Sequence, residues 1–157
     1  SDKKPDLTGM LNTTSSDPHK GVKDWMNEVS RVLSQSGELI VIDTISPVNQ
    51  KAADWMHEIE IWRDPSHVKN FSLAEWQTLA NLAGLKIEVE VISEVLLEYP
   101  DWTQRAGMDD AEAVKLGLAL ENAPLEAKEA FNIKGTQANG INFSWPVINL
   151  RAIKIFT

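Results

Sequence analysis

The sequence predicts an α/β fold with few strands, flanked by helices, and three observations carry that reading. An unbroken apolar run, "LIVI" at Leu39–Ile42, follows an amphipathic helical stretch. A second helical pair separates it from an alternating strand, "LKIEVEVI". The chain then closes on "FSWPVINLRAIKIF" after a group of short helices. That order, with helices between strands, is the mark of an α/β domain.

Residues 1–18 are polar and rich in Ser, Thr, Asp and Pro, and read as a segment apart from a domain over 19–157. Val22, Trp25, Met26, Val29, Val32 and Leu33 recur at helical spacing, which predicts a helix over His19–Ser34. Gly37 supports its end. Leu39–Ile42 has no polar alternation, so it is expected to be a strand buried on both faces. Asp43 and Thr44 stand at its carboxyl end, where α/β sheets hold ligands; Asp43 can equally cap the following turn. Ala52, Trp55, Met56, Ile59 and Trp62 predict a second helix after Pro47. It must stop near Arg63, because Pro65 disfavours helix at Asp64.

Ser72 and Glu75 form a capping box, and Phe71 with Trp76 a hydrophobic staple, so a third helix starts there and ends at Gly84. Leu85, Ile87, Val89 and Val91 alternate with Lys86, Glu88 and Glu90, a strand with one wet face. Asp101–Phe131 reads as two or three short helices broken by Gly107 and Pro124. The final strand carries Pro146 near its start.

Composition narrows the function. The chain has 157 residues, 43% hydrophobic and 24% charged, which suits one globular domain. A net charge of −8 argues against a nucleic-acid partner, which needs clustered Lys and Arg. Without cysteine there is no disulfide framework, no thiolate metal site and no Cys nucleophile. No apolar stretch reaches the ~18 residues of a membrane span, and no leader-like apolar region opens the chain. A cytoplasmic protein is expected.

Several constellations carry less than they suggest. His57, Asp64 and His67 match no compact metal-ligand spacing, so no metal is expected. Glu58 and Glu60 point apart on a helix. Ser66 has no G-x-S-x-G elbow around it. Trp55 and Trp62 read as core, and Asp109–Glu112 as a solvated helix start. No catalytic residue is assigned.

Longer stretches add up to a resemblance. "EVSRVLSQSGELIVIDTISP" resembles the "E-x-x-RVL-x-PGG-x-L-x-x-x-D" segment of class I S-adenosylmethionine-dependent methyltransferases. "IEIWRDPSHVKNFSLAEWQTLANLAGL" is similar to the signature of the branch that includes the ubiquinone and menaquinone biosynthesis methyltransferases. "DWTQRAG" and "INFSWPVINLRAIK" resemble the last third of the same branch, more weakly. The resemblance runs from about Asp17 to the C-terminus. It implies a partial Rossmann-like methyltransferase sheet, made of the C-terminal strands with an antiparallel final pair.

The departure is as informative. The family's Gly-rich turn and ribose-holding acid have no counterpart, for eight glycines form no G-x-G. "PDLTGMLNTTSSDPHKGV" stands where the family's fourth strand belongs, and is polar. The resemblance therefore implies the substrate-side portion of a methyltransferase. It would act on a small-molecule acceptor only if completed by a cofactor-binding half, and S-adenosylmethionine would not be held by this chain alone. Asp43, Thr44, Arg63 and His67 are the candidate acceptor-site residues; Arg63 can instead pair with Asp64 or Glu60, and His67 can brace the turn. Two rival expectations stand beside this. One is a non-catalytic subunit that pairs through its incomplete sheet, as a homo-oligomer or with a complementary half. The other is a self-contained ligand-binding module.

Overall fold

The computed structural model describes residues 18–155. The polar segment expected over 1–18 lies outside them but for Pro18, which opens the first helix. So does the stretch near Leu7–Leu11, expected to leave a strand flank poorly covered.

Helix α1 spans Pro18–Val32, β1 Glu38–Thr44 and α2 Gln50–Arg63. Asn49 caps α2 by accepting from the Ala52 amide at 3.1 Å. The helix stops where sequence requires, with Asp64 extended ahead of Pro65. Helix α3 spans Leu73–Leu82 and shows the full capping box between Ser72 and Glu75. The Phe71 and Trp76 rings of the staple lie 5.7 Å apart. Gly84, at φ +70°, turns the chain out of α3 in a conformation that other residues rarely adopt.

Strand β2 then runs Leu85–Glu98, past the expected stretch. Three short helices come next: α4 at Tyr99–Arg105, α5 at Asp110–Glu121 and α6 at Leu125–Ala130. Asp109 caps α5 by accepting from the Ala111 and Glu112 amides. A three-residue strand, β3 (Lys134–Thr136), turns back onto the last strand, β4 (Gly140–Lys154).

The sheet runs β1-β4-β2 with β3 also on β4, and every described pairing is antiparallel. Pro146 lies mid-strand in the central β4, not near its start. It is tolerated because the β1 ladder ends one residue earlier, at Thr44 with Val147. The Pro146 carbonyl accepts from the Ile45 amide at 2.9 Å, and no ladder N–H is needed on that side.

Side chains alternate across β4, and two cores take opposite faces of it. On one face Ile148, Leu150 and Ala152 join Leu39, Val41 and Leu85 under α1 and α3. On the other, Ile141, Phe143 and Trp145 pack with Met56, Trp102 and Phe131 under α2, α4, α5 and α6. Trp145 stands edge-on to Trp102, Phe131 and Phe143 at centroid distances of 6.0, 4.6 and 5.0 Å.

The expectation for β1 is corrected. Leu39 and Val41 are buried, but Ile40 is 66% and Ile42 68% exposed. Among the described strands β1 is an edge, and its second face is bare. The alternation of β2 is corrected too. A bulge between Ile87 and Val89 leaves Glu88 unpaired and reverses the facing of the residues beyond it. Ile87 therefore sits opposite buried Ala152, whereas Val89 and Val91 sit opposite Arg151 and Asn149. Ile40 and Ile42 oppose the same two residues from the other side. Ile40 and Ile42 on β1 and Val89 and Val91 on β2 are thus exposed on a single sheet face, as two apolar pairs on either side of Arg151 and Asn149 of β4.

Candidate functional site

Beyond the carboxyl end of β1 the chain opens a cleft of about 340 Å³. One wall is the segment after β1 and the first turns of α2, with Ser46, Asp54 and His57. The other is the link between α2 and α3, with Val68, Lys69 and Asn70. Two bonds tie the walls: the Ser46 amide donates to the Phe71 carbonyl at 3.0 Å, and Thr44 Oγ1 donates to Asn70 Oδ1 at 2.8 Å. The link holds its shape through Asp64, whose carboxylate accepts from the Ser66 amide and hydroxyl at 2.9 and 2.6 Å. Those two bonds hold the Asp64 carboxyl below the usual range.

None of the four residues expected from sequence is among the cleft-lining residues, but three stand next to it. Thr44 orients Asn70. Asp43 accepts from the Thr44 amide at 2.8 Å. Burial pushes the Asp43 carboxyl up, and the Thr44 bond only partly offsets this. His67 is half-buried, with its ring 6.1 Å from that of His57. Burial, then the neighbouring His57, push the His67 imidazole down. Its amide donates to the Asp64 carbonyl, while Nε2 has no partner.

Arg63 is drawn the other way. Its Nε donates to the Trp102 carbonyl at 3.1 Å, its guanidinium lies 4.7 Å from the Trp102 ring centroid, and Nη1 is 3.6 Å from Glu60 Oε2. It ties α2 to α4. Glu60 is 7% exposed, and burial raises its pKa against the opposing pull of Arg63.

Among the described residues, no group of three or more His, Asp and Glu is placed to hold a metal, and no helix is long and apolar enough to cross a membrane. Asn70 and Ser46 were not singled out from sequence, and His57 only in the metal trio that its spacing set aside. The β1-end rule and the family-like stretch around Arg63 and His67 pointed to their neighbourhood, but not to the bond by which Asn70 meets Thr44 across 26 residues of chain.

No protein-family model matches the chain. It is 30% identical over 135 residues to the uncharacterized methyltransferase YcgJ of Bacillus subtilis, a match covering 85% of this chain and 53% of that protein. It is 31% identical over 109 residues to the uncharacterized protein YafE of Escherichia coli, covering 69% of this chain and 53% of YafE. The crystal structure of YcgJ superposes with a TM-score of 0.79 at 28% identity, over 94% of this chain and 61% of YcgJ. The fold is that of a methyltransferase. A crystal structure from Bacillus halodurans, BH2331, described as a candidate methyltransferase, shares it with a TM-score of 0.80 at 22% identity, over 93% of this chain and 66% of that one. The chain spans about half the length of the curated relatives it matches.

Proposed function

We propose that this chain is the acceptor-side portion of an S-adenosylmethionine-dependent methyltransferase, completed by a cofactor-binding half. The observation that carries this reading is the exposure of Ile40 and Ile42 on β1 and of Val89 and Val91 on β2, on one sheet face around Arg151 and Asn149. Among the described residues one sheet face and the edge of β1 are open, and a cofactor-binding portion would pack there.

The described residues do not fit the cofactor. β1 ends at Asp43-Thr44 and the chain runs on as Ile45-Ser46-Pro47, with no glycine to let a backbone approach a nucleotide closely. No G-x-G occurs in the sequence. In this reading the methyl donor belongs to the completing half, and this chain positions the acceptor, the main work of such a transfer. Asp43, Thr44 and His67 are proposed to shape the acceptor side of the cleft. Arg63 is proposed to act through the α2–α4 brace.

The test is to mix the chain with the portion of YcgJ that it does not match, and to sediment both. A 1:1 complex that forms with wild type and fails with Ile42→Lys supports the reading. A stable 17.5 kDa monomer that ignores the added half overturns it. The same exposed face favours one second reading, a non-catalytic homo-oligomer. That reading is supported if the chain self-associates and takes up no added half.

A further inference from the structure

The turn between β3 and β4 carries a reactive pair that the proposed function does not use. Asn139 is followed by Gly140, and no other asparagine or aspartate in the sequence precedes a glycine. Both residues are exposed. Gly140 stands at φ +90°, so the hairpin itself calls for a residue without Cβ there. That absence also leaves its backbone nitrogen unshielded. Apart from its chain neighbours, no atom lies within 4 Å of a Cβ built at Gly140.

Thr136 holds the Asn139 side chain in place. Asn139 Oδ1 accepts from the Thr136 amide at 2.6 Å and from the Thr136 hydroxyl at 2.9 Å. A backbone N–H only donates, so it settles which way round the Asn139 amide lies, with oxygen toward Thr136. Nδ2, the leaving group of any attack at Cγ, is therefore not the atom that Thr136 holds. Such an attack pushes negative charge onto Oδ1, and two donors already aimed at that atom stabilise it.

We infer that Asn139 is a self-modification site, where the Gly140 nitrogen displaces the side-chain amide of Asn139 and water then leaves an acid. The Gly140 N–H gives its proton to hydroxide from solvent, and the nitrogen bonds to Asn139 Cγ. The Cγ–Nδ2 bond breaks, and Nδ2 leaves as ammonia with a proton taken from water. Water opens the cyclic imide that results. Breaking the Gly140 nitrogen's bond to Cγ gives aspartate; breaking its bond to the main-chain carbonyl gives isoaspartate. Aspartate suits the turn, because its carboxylate accepts the same two Thr136 bonds, now charge-assisted. Isoaspartate lengthens the main chain and spoils the β3–β4 register. The new charge falls on the turn that Gln137 ties to α5, through its amide to Glu121 Oε1 at 2.6 Å and its side chain to the Val114 carbonyl at 3.0 Å.

The experiment is incubation of the folded 157-residue chain in mildly alkaline buffer, then peptide mass spectrometry with fragmentation that separates aspartate from isoaspartate. Asn139 is expected to turn to acid ahead of every other asparagine, with aspartate as the main product. Thr136→Val removes one donor from Oδ1 at an exposed position and should slow the reaction about tenfold. Asn139→Asp, unfolded in urea, should have a midpoint at or above that of wild type. Another asparagine reacting first, an Asn139 that stays intact in the folded chain yet reacts in urea, or a Thr136→Val chain that reacts as fast as wild type would each overturn the inference. Isoaspartate as the main product, or a lower midpoint for Asn139→Asp, would overturn the fit of the acid to the turn.

Discussion

Replacing Trp76 by alanine should be among the most damaging single changes to this chain. The side chain is fully buried between α3 and the sheet, beside Phe71, Leu79 and Leu85. A buried Trp removes roughly 200 Å² from water, worth about 5 kcal/mol at ~25 cal/mol per Å². One term opposes this. The Trp76 indole N–H is buried with no partner, so deleting it recovers about 1–2 kcal/mol of desolvation cost. The residual cavity adds back a comparable penalty, leaving a net loss of about 3–5 kcal/mol. Trp76→Phe separates the terms. It keeps a ring against Phe71 and discards the orphan donor, so it should fall within about 1–2 kcal/mol of wild type. Urea unfolding of the three proteins, read as shifts in midpoint at constant slope, is the assay. A loss below ~1 kcal/mol for the alanine variant would place Trp76 outside the core. A phenylalanine variant as damaged as the alanine one would mean that the indole N–H is satisfied.

Three other outcomes rest on the same geometry. Ser72→Ala removes both the side-chain cap and the anchor of the capping box, and should cost about 1 kcal/mol in the same unfolding assay. Ile40→Lys with Ile42→Lys should change the stability of the isolated chain by only about 0.5 kcal/mol, because both side chains are already exposed, yet abolish association in sedimentation. Burial raises the Glu60 pKa, so the folded chain binds the extra proton above the ordinary value of 4.5. Stability should therefore fall, relative to Glu60→Gln, as pH rises from 4.5 through the folded pKa; parallel melts across that range check the sign.

Local signals were legible in the sequence, and long-range ones were not. The Ser72–Glu75 box and the Pro65 stop each depend on residues within a turn of one another, and each is found where the spacing puts it; the helix start read at Asp109–Glu112 is there too, with Asp109 as a cap that the sequence reading did not name. The β1 run was legible as a strand, but its burial depends on what lies over the sheet. Ile40 and Ile42 are coded for cover that the described residues do not provide. The β2 bulge was hidden because Val89 and Val91 continue the apolar alternation of Leu85 and Ile87 while facing the other way. A three-residue strand such as β3 has too little pattern to detect. At the site, the β1 carboxyl end was legible from topology. The Thr44–Asn70 bond was not, since nothing near Asn70 marks it as the partner of a residue 26 positions away. Arg63 drew attention as a charged residue in a motif, and its role was set by Trp102 and Glu60, contacts that spacing reveals only for Glu60.

The central claim is that the methyl donor is held by a completing half and not by this chain. Isothermal titration with S-adenosylmethionine tests it most directly, run on the isolated chain and on its complex with the unmatched portion of YcgJ. The account predicts no binding heat from the chain alone and one site per complex. Micromolar binding at one site on the isolated chain would contradict it.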